Sequence, residues 1–405
     1  MVIAGAGPAG ACLARLLARA GIPVCLVEAS RRFDQQFRGQ GLMPSGLEAL
    51  AAMGLWPLPA GIPQRALRGW SFALDRRELF TVAEPMGSAR PCTLIEPGAL
   101  LRHLRAELQH HPRVRLLEGC SIVGLEERQG AVCGVRLSDG RRLATDLVVA
   151  CDGRDSKIRQ RAALALEGGA SPIDVLWFRL PQSACGEILA WLGDRFVTLV
   201  GRGGSFALFG RADGGVQLGW VIGAGEAEPE SWPQRWAALA PAPLAELLLR
   251  VPPRAVRGPV RLPVQVGLAP RWQRPGLLLL GDAAHPMSPV RAQGLNMALR
   301  DAVVAARHLV PLLASAVEPR APGAPALQAA LTAALERIEA ERLPELRAVQ
   351  ALQAEEARRG ELLRHRHRLR ALLAGTAPLS GPLLALRWRS AQRILRQGTV
   401  CLEPP

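Results

Sequence analysis

The sequence predicts an α/β protein: a parallel sheet with a β-meander, interrupted by an antiparallel β-sheet and followed by C-terminal helices. Three stretches carry that expectation. Residues 1–28 run strand, glycine turn, helix, strand and acid. Residues 277–302, LLLLGDAAHPMSPVRAQGLNMALRDA, join a short apolar strand to a helix through a proline-punctuated loop. Between residues 171 and 267, alternating apolar runs are separated by glycine-rich turns, the pattern of antiparallel strands.

In chain order, Val2 to Ala4 is a short strand and Gly5-Ala6-Gly7-Pro8-Ala9-Gly10 follows it. Leu13, Leu16, Leu17 and Ala20 then keep helical spacing up to Gly21, and Val24 to Val27 is a second strand ending in Glu28. This is a dinucleotide fingerprint in its required βαβ setting. Gly5 permits the tight turn, Gly7 lets backbone approach a pyrophosphate, and Gly10 lets helix and strand pack closely. Glu28 falls where a carboxylate accepts hydrogen bonds from ribose hydroxyls. Arg38 lies in a glycine-bracketed loop, and a helix capped by Ser45, with Glu48 completing a capping box, is expected after it. Trp70 to Phe80 alternates like strands around Asp75-Arg76-Arg77, and Leu100 to Leu108 is helical.

Ser121 to Ala150 reads as a strand meander with a hairpin at Ser138-Asp139-Gly140. Its last strand ends in Asp152-Gly153, followed by basic residues. Strands are expected at Val175–Leu180, Phe196–Val200, Ser205–Phe209 and Val216–Ile222, with a helical insertion from Trp232 to Val251. The strand Leu277–Leu280 stops at Gly281-Asp282, placing Asp282 at a carboxyl end, where open α/β sheets bind ligands. Gly294-Leu295-Asn296 opens the next helix, whose N–H groups and partial positive charge suit an anion or a ring that becomes anionic. From Ala326 onward the chain is helical and arginine-rich. There Leu384, Trp388, Ala391 and Leu395 form an apolar stripe, read either as a docking face or as a basic helix for peripheral membrane contact.

Composition narrows the function. With 405 residues, 49% of them hydrophobic, the chain fills two or three domains. Eight scattered Cys with no CxxC pair imply neither zinc nor disulfides, so no metal site and a reduced, cytoplasmic setting are expected. No secretory leader and no apolar run of about 20 residues is seen. The net charge of +15 comes from arginine spread along the chain, Lys157 being the only lysine. A nucleic-acid reader would concentrate that charge among aromatics, so no nucleic acid is expected. A ligand with several phosphates, or an anionic membrane surface, suits it better.

Together GAGPAG with Glu28, ACDGRDSKIR at 150–159 and LLGDAAHPMSPVRAQGLN at 279–296 resemble the three FAD signatures of single-component, class A flavoprotein monooxygenases, a group that includes aromatic hydroxylases and ubiquinone-biosynthesis hydroxylases. The resemblance covers nearly the whole chain. It implies a GR2-type, Rossmann-like FAD-binding domain built from residues 1–69, 97–170 and 268–325. A substrate-binding β-sheet domain from 70–96 and 171–267 and a helical region from 326–405 complete the implied layout. It also implies that Gly5, Gly7, Pro8, Ala9, Gly10 and Glu28 hold the AMP half, and that Arg38, Asp152 and Gly153, with Arg159 as a partner, lie by the pyrophosphate. Asp282 would bind the ribityl chain. Pro289 would pack beside the isoalloxazine and Gly294, Leu295 and Asn296 would face its pyrimidine edge; Pro289 and Gly294 are the two positions closest to the chemistry.

The implied reaction takes NADPH or NADH as transient co-substrate and O2 as oxidant, and transfers oxygen from a flavin C4a-hydroperoxide to hydroxylate or epoxidise a small molecule. The protein then orients the ring and excludes water. No acid–base residue is assigned, and His285 is read as a loop residue. This sequence departs from the group at Ala292, where a glycine is usual, and at Pro97. It contains no Tyr, and Leu199, Gly210 and Ala212 stand at phenol-contact positions, so a small hydroxybenzoate is not expected. An apolar or aromatic substrate against Trp177, Phe206 and Phe209 is. A reductase or halogenase of the same fold, or a non-catalytic FAD scaffold, remain the alternatives; the halogenase is weakened because Lys157 lies in the wrong segment.

Overall fold

A computed structural model describes residues 1–31, 40–228, 230–314 and 325–404. Arg38 lies outside the described residues.

A six-stranded sheet forms the floor of the molecule. Its order is Gln273–Arg274, Leu277–Leu279, Val148–Ala150, Val2–Ala4, Val24–Glu28 and Val114–Glu118, parallel except for the first pair. Val2–Ala4, Val148–Ala150 and Leu277–Leu279 are buried at every position, as unbroken apolar strands are when both faces of a sheet are covered. Register then decides where the loops go. Ala4 is level with Val27 and Ala150, and Ala150 with Leu279. Gly5, Glu28, Asp152 and Asp282 therefore all leave the sheet at one edge. The helices Pro8–Arg19 and Gln293–Ala314 start from that edge and pack on each other.

The meander Ile122–Arg128, Ala131–Leu137 and Arg142–Ala144 forms a separate antiparallel sheet. A seven-stranded sheet follows in the order Arg257–Leu268, Glu167–Leu180, Val216–Gly223, Gly204–Gly210, Arg195–Gly201, Gly69–Leu74 and Arg77–Ala83. Its one parallel pair joins Arg195–Gly201 to Gly69–Leu74. One face packs under the helices Trp232–Leu239 and Ala242–Leu249, which break at Pro241 where a single insertion is expected from sequence. The other face turns toward the six-stranded sheet and carries Trp70, Trp177, Phe196 and Phe209.

Strand alternation corrects three substrate-side expectations. Phe206 is two registers from Leu208 and stacks on Trp220 at 5.8 Å, so it belongs to the core under the helices, on the face away from the cavity. Leu199 is buried in that same core, and Gly210 abuts Leu189 and Arg65. Leu199 and Gly210 therefore do not face a substrate, while the sequence still holds no Tyr.

The expected capping box is also not formed. The helix starts at Pro44, with Met43 as N-cap and no side-chain cap, because proline at the first turn needs no N–H partner. Ser45 is buried two residues past the cap position, and Glu48 instead pairs with Arg300 at 2.9 Å.

The long helix Pro325–His365 crosses behind the Gln293–Ala314 helix and holds the loop before it. Gln350 donates to the Gly267 carbonyl at 2.8 Å, Gln353 to that of Ser288 at 3.0 Å, and Glu356 pairs with Arg291 at 2.7 Å. Of the C-terminal stripe, Leu395 is buried in the main core, and Leu384 and Trp388 pack against the Gly69–Ala83 hairpin region. That stripe is a docking face, so it cannot itself be the membrane contact.

Candidate functional site

The strand ends and the aromatic face of the second sheet enclose a cavity of about 960 Å³. Sites for small molecules and cofactors run from roughly 300 to 1,000 Å³, so this one has room for a large cofactor and a second molecule.

Its floor is the first glycine turn. Gly5 has φ +91°, and a Cβ there would lie 2.3 Å from the Cys151 carbonyl oxygen. A Cβ on Gly10 would lie 2.0 Å from the Gly5 carbonyl oxygen. Gly10 therefore does not line the cavity; it lets the helix sit against the turn. Gly7, Pro8 and Ala9 do line it, with Gly7 as the N-cap, so the open N–H groups of the helix face the space. Glu28 also lines it and already accepts from Ala6 N at 2.7 Å and Ser30 N at 2.8 Å. A carboxylate has about four acceptor positions, so capacity remains for two hydroxyls.

On the next loop, Asp152 and Gly153 line the cavity, but Asp152 also accepts from Ser156 Oγ at 2.5 Å and Ile158 N at 3.1 Å, which fixes the turn into the short helix Lys157–Arg161. Arg159, expected beside the pyrophosphate, is turned away. Its guanidinium donates to the Ala283 carbonyl at 2.7 Å and also to that of Arg154, clamping two loops together. Arg154 lines the cavity instead, as do Lys157 and Arg291; Arg154 donates to the Pro263 carbonyl at 3.0 Å and keeps a buried Nε without a hydrogen-bond partner. That Nε lies 4.0 Å from Asp282 Oδ2. Burial pushes the Asp282 carboxyl up, with His285 and Arg154 partly offsetting it.

The third loop places Asp282, Pro289, Gly294 and Leu295 on the cavity. Asn296 is not on it. Its buried amide accepts from Met43 N at 2.8 Å and donates to the carbonyls of Gly41 and Ala292, at 3.0 and 2.7 Å, tying this helix start to the Gly41–Met43 segment. Arg291 and Ala292 both adopt left-handed backbone, φ 59° and 50°, which explains why a glycine is the usual residue at the latter. The Arg291 guanidinium sits 5.2 Å from the Trp70 ring, 5.3 Å from Phe72 and 4.9 Å from Trp388.

Behind the loop is a set of residues that sequence reading did not single out. Asp301 accepts from Gly281 N at 2.9 Å, His285 Nε2 at 2.6 Å and Arg342 Nε at 2.8 Å, all fully buried. Arg342 and Arg300 in turn pair with the buried Glu345. The available signal was the charged doublet Arg300-Asp301 inside an apolar helix. His285 is buried with Asp301 and does not line the cavity, in keeping with its reading as a loop residue.

The opposite wall is apolar: Trp70, Trp177, Phe196 and Phe209, with Phe196 and Phe209 stacked at 5.0 Å and 15°. Met43, Leu94, Leu262 and Val264 fill between them. Three polar groups interrupt this side: the Arg291 guanidinium over Trp70, the Trp177 Nε1, which has no partner, and Gln40. Gln40 is buried, its Nε2 donates to Gln217 at 2.9 Å, and its Oε1 has no partner. Among the described residues no group of His, Cys, Asp and Glu forms a metal site. The chemistry on offer is thus a glycine cradle and helix N-termini at one end and a stacked aromatic wall at the other. That fits a dinucleotide lying along the strand ends with a flat apolar molecule beside it.

Comparison with known proteins agrees. The FAD binding domain family matches residues 1–320. The 6-methylpretetramide 4-monooxygenase of Streptomyces rimosus is 33% identical over 323 residues, covering 75% of this chain and 73% of the relative. PqsL of P. aeruginosa in complex with 2-aminobenzoylacetate superposes with a TM-score of 0.75 at 24% identity, covering 92% of this chain and 98% of that one. HpxO of Klebsiella pneumoniae complexed with FAD does so with a TM-score of 0.70 at 22% identity, covering 96% and 97%. At those identities the two structures speak for the fold.

Proposed function

The chain belongs to the FAD binding domain family and is an FAD-dependent monooxygenase, and we propose that it hydroxylates an apolar, bulky aromatic molecule held against Trp70, Trp177, Phe196 and Phe209. The observation that carries the substrate reading is the composition of that wall: four aromatic rings and no Tyr. The Streptomyces rimosus relative named for 6-methylpretetramide supports an aromatic substrate.

Bound FAD supplies the redox chemistry that joins a nicotinamide reductant, NADH or NADPH, to dioxygen. We assign the chain's share as follows. The N–H groups of Gly7 and Ala9 receive the diphosphate, Glu28 accepts from the ribose, and Asp152-Gly153 borders the diphosphate. Asp282 accepts from the ribityl hydroxyls, and Arg154 beside it balances its charge. Pro289 abuts the ring system. Gly294 and Leu295, at the start of the Gln293–Ala314 helix, present donors and partial positive charge where negative charge grows on reduction. The aromatic wall orients the substrate and keeps water out.

Asp282→Ala is expected to purify pale or colourless, with FAD affinity weakened about 10- to 100-fold, since a charged acceptor on the cavity is lost. Equilibrium dialysis of FAD measures it; a variant that keeps full yellow colour removes Asp282 from the ribityl assignment. Phe209→Ala is expected to leave nicotinamide-driven FAD reduction unchanged and lower kcat/KM for the substrate about tenfold or more.

The reading as a whole is tested by turnover under isotopic dioxygen with NADPH or NADH and a panel of apolar aromatics. Incorporation of one labelled oxygen atom into a product supports it. Reduction of FAD with only peroxide formed across the panel rejects the substrate assignment, and no reduction by either nicotinamide supports a scaffold.

A further inference from the structure

The C-terminal helices His367–Gly375 and Ala377–Ala391 meet at 102° and carry the most exposed leucines of the described residues: Leu379 at 87%, Leu383 at 70%, Leu386 at 64% and Leu372 at 63%. Their inner face is committed. Gly381 lies so close to the Leu79 carbonyl oxygen that a Cβ would approach it to 2.4 Å. Arg370 pairs with Asp75 at 2.6 Å, and beyond the hairpin Arg396 pairs with Glu84 at 2.6 Å. These contacts pin the hairpin to the Gly69–Ala83 strands and leave its leucines outward.

The charge beside those leucines has one sign. From residue 362 to 402 the chain has eight Arg and no Asp or Glu. Arg366, Arg368, Arg387, Arg389 and Arg393 are exposed. We infer that this outward face docks on an anionic lipid bilayer. Leucines that enter the acyl boundary, rimmed by arginines at headgroup level, are how an interfacial helix binds. No single helix among the described residues is long and apolar enough to cross a membrane. The two helices, 9 and 15 residues long, reach only about 14 and 22 Å at 1.5 Å per residue. A hydrocarbon core is about 30 Å thick, so they lie along the surface. A second copy of the chain is a poorer occupant, because an isologous contact would set arginine against arginine with no acid between them.

The docked face also has a use. On its inner side Trp388 touches the Trp70 ring at 6.1 Å, and Trp70 lines the cavity. Docking brings the apolar wall close to the phase in which apolar substrates collect. The inference does not depend on the oxygenation reading, since lipid binding is measured without turnover.

The test is flotation of the FAD-loaded full chain with vesicles of phosphatidylcholine alone and of phosphatidylcholine mixed with phosphatidylglycerol. The chain is expected to float with the mixed vesicles only, and less at high salt. The triple variant Leu379→Ser, Leu383→Ser, Leu386→Ser is expected to bind about tenfold less or weaker, with its visible flavin spectrum unchanged. The inference is overturned if the chain floats with neither vesicle or if the triple variant floats as well as the parent. It is also overturned if sedimentation shows a dimer that the leucine changes dissolve, which would assign the face to a second copy.

Discussion

Gly10→Ala is expected to give a chain that holds no FAD, even after reconstitution, and is recovered poorly. The methyl group would stand 2.0 Å from the Gly5 carbonyl oxygen, and Gly5 is itself pressed against the Cys151 carbonyl. Neither neighbour is a side chain that could rotate away. The Pro8–Arg19 helix would have to lift by more than an ångström from a sheet whose strands are buried on both faces, at an overpacking cost on the order of 3 kcal/mol or more. The lifted element is the one whose N-terminus faces the cavity, so stability and flavin are lost together. Gly21→Ala serves as the control. Gly21 also has positive φ, +81°, but no atom within 4 Å, so alanine costs only about 1 kcal/mol of backbone strain and the protein stays yellow. Flavin absorbance per protein and the denaturation midpoint check both variants. Full flavin in Gly10→Ala would show that the helix and turn are not packed this tightly.

Much of this arrangement was legible from local pattern, and the reason is period. Val2–Ala4, Val24–Glu28, Val148–Ala150 and Leu277–Leu279 are apolar strands ending in glycine or acid, and parallel register turns those endings into a shared edge. The errors arose where a choice of face or partner is set by contacts distant in sequence. Phe206 and Phe209 are both aromatic and three residues apart, and only the helices laid on one side of the sheet distinguish them. Arg159 and Arg154 both follow Asp152-Gly153; Arg159 turns to the Ala283 carbonyl because that loop lies beneath it. Ser45 and Glu48 form a sound capping box on paper, yet the buried Arg300 on another helix claims Glu48. Asn296 sits in the flavin signature, yet its amide spends its bonds on Gly41, Met43 and Ala292.

The same distance effect hides the buried ion cluster, and it leads to the second large effect. Asp301→Asn is expected to destabilise the protein by about 3–5 kcal/mol, lowering Tm by roughly 5 °C for a chain of this size. Asp301 is wholly buried and faces Arg342 and His285. Removing its charge leaves Arg342 with only Glu345, which it shares with Arg300, while Arg300 also keeps Glu48. Burial pushes the Asp301 carboxyl up, but His285 and Arg342 outweigh it and hold the group below the usual carboxylate range. A carboxyl depressed in the folded state contributes its full stability above the unfolded value of about 3.9, and loses it as pH falls toward the folded one. The gap between parent and Asn variant should therefore be widest near neutral pH and shrink below about pH 4. A gap that stays constant to low pH would mean the asparagine acts by packing or hydrogen bonding, not by charge. Function follows the same route. Asp301 holds the N–H of Gly281, which lines the cavity one residue before Asp282, so loosening it should weaken FAD retention although no residue lining the cavity is substituted. An unchanged denaturation midpoint at neutral pH would refute the role given to this cluster.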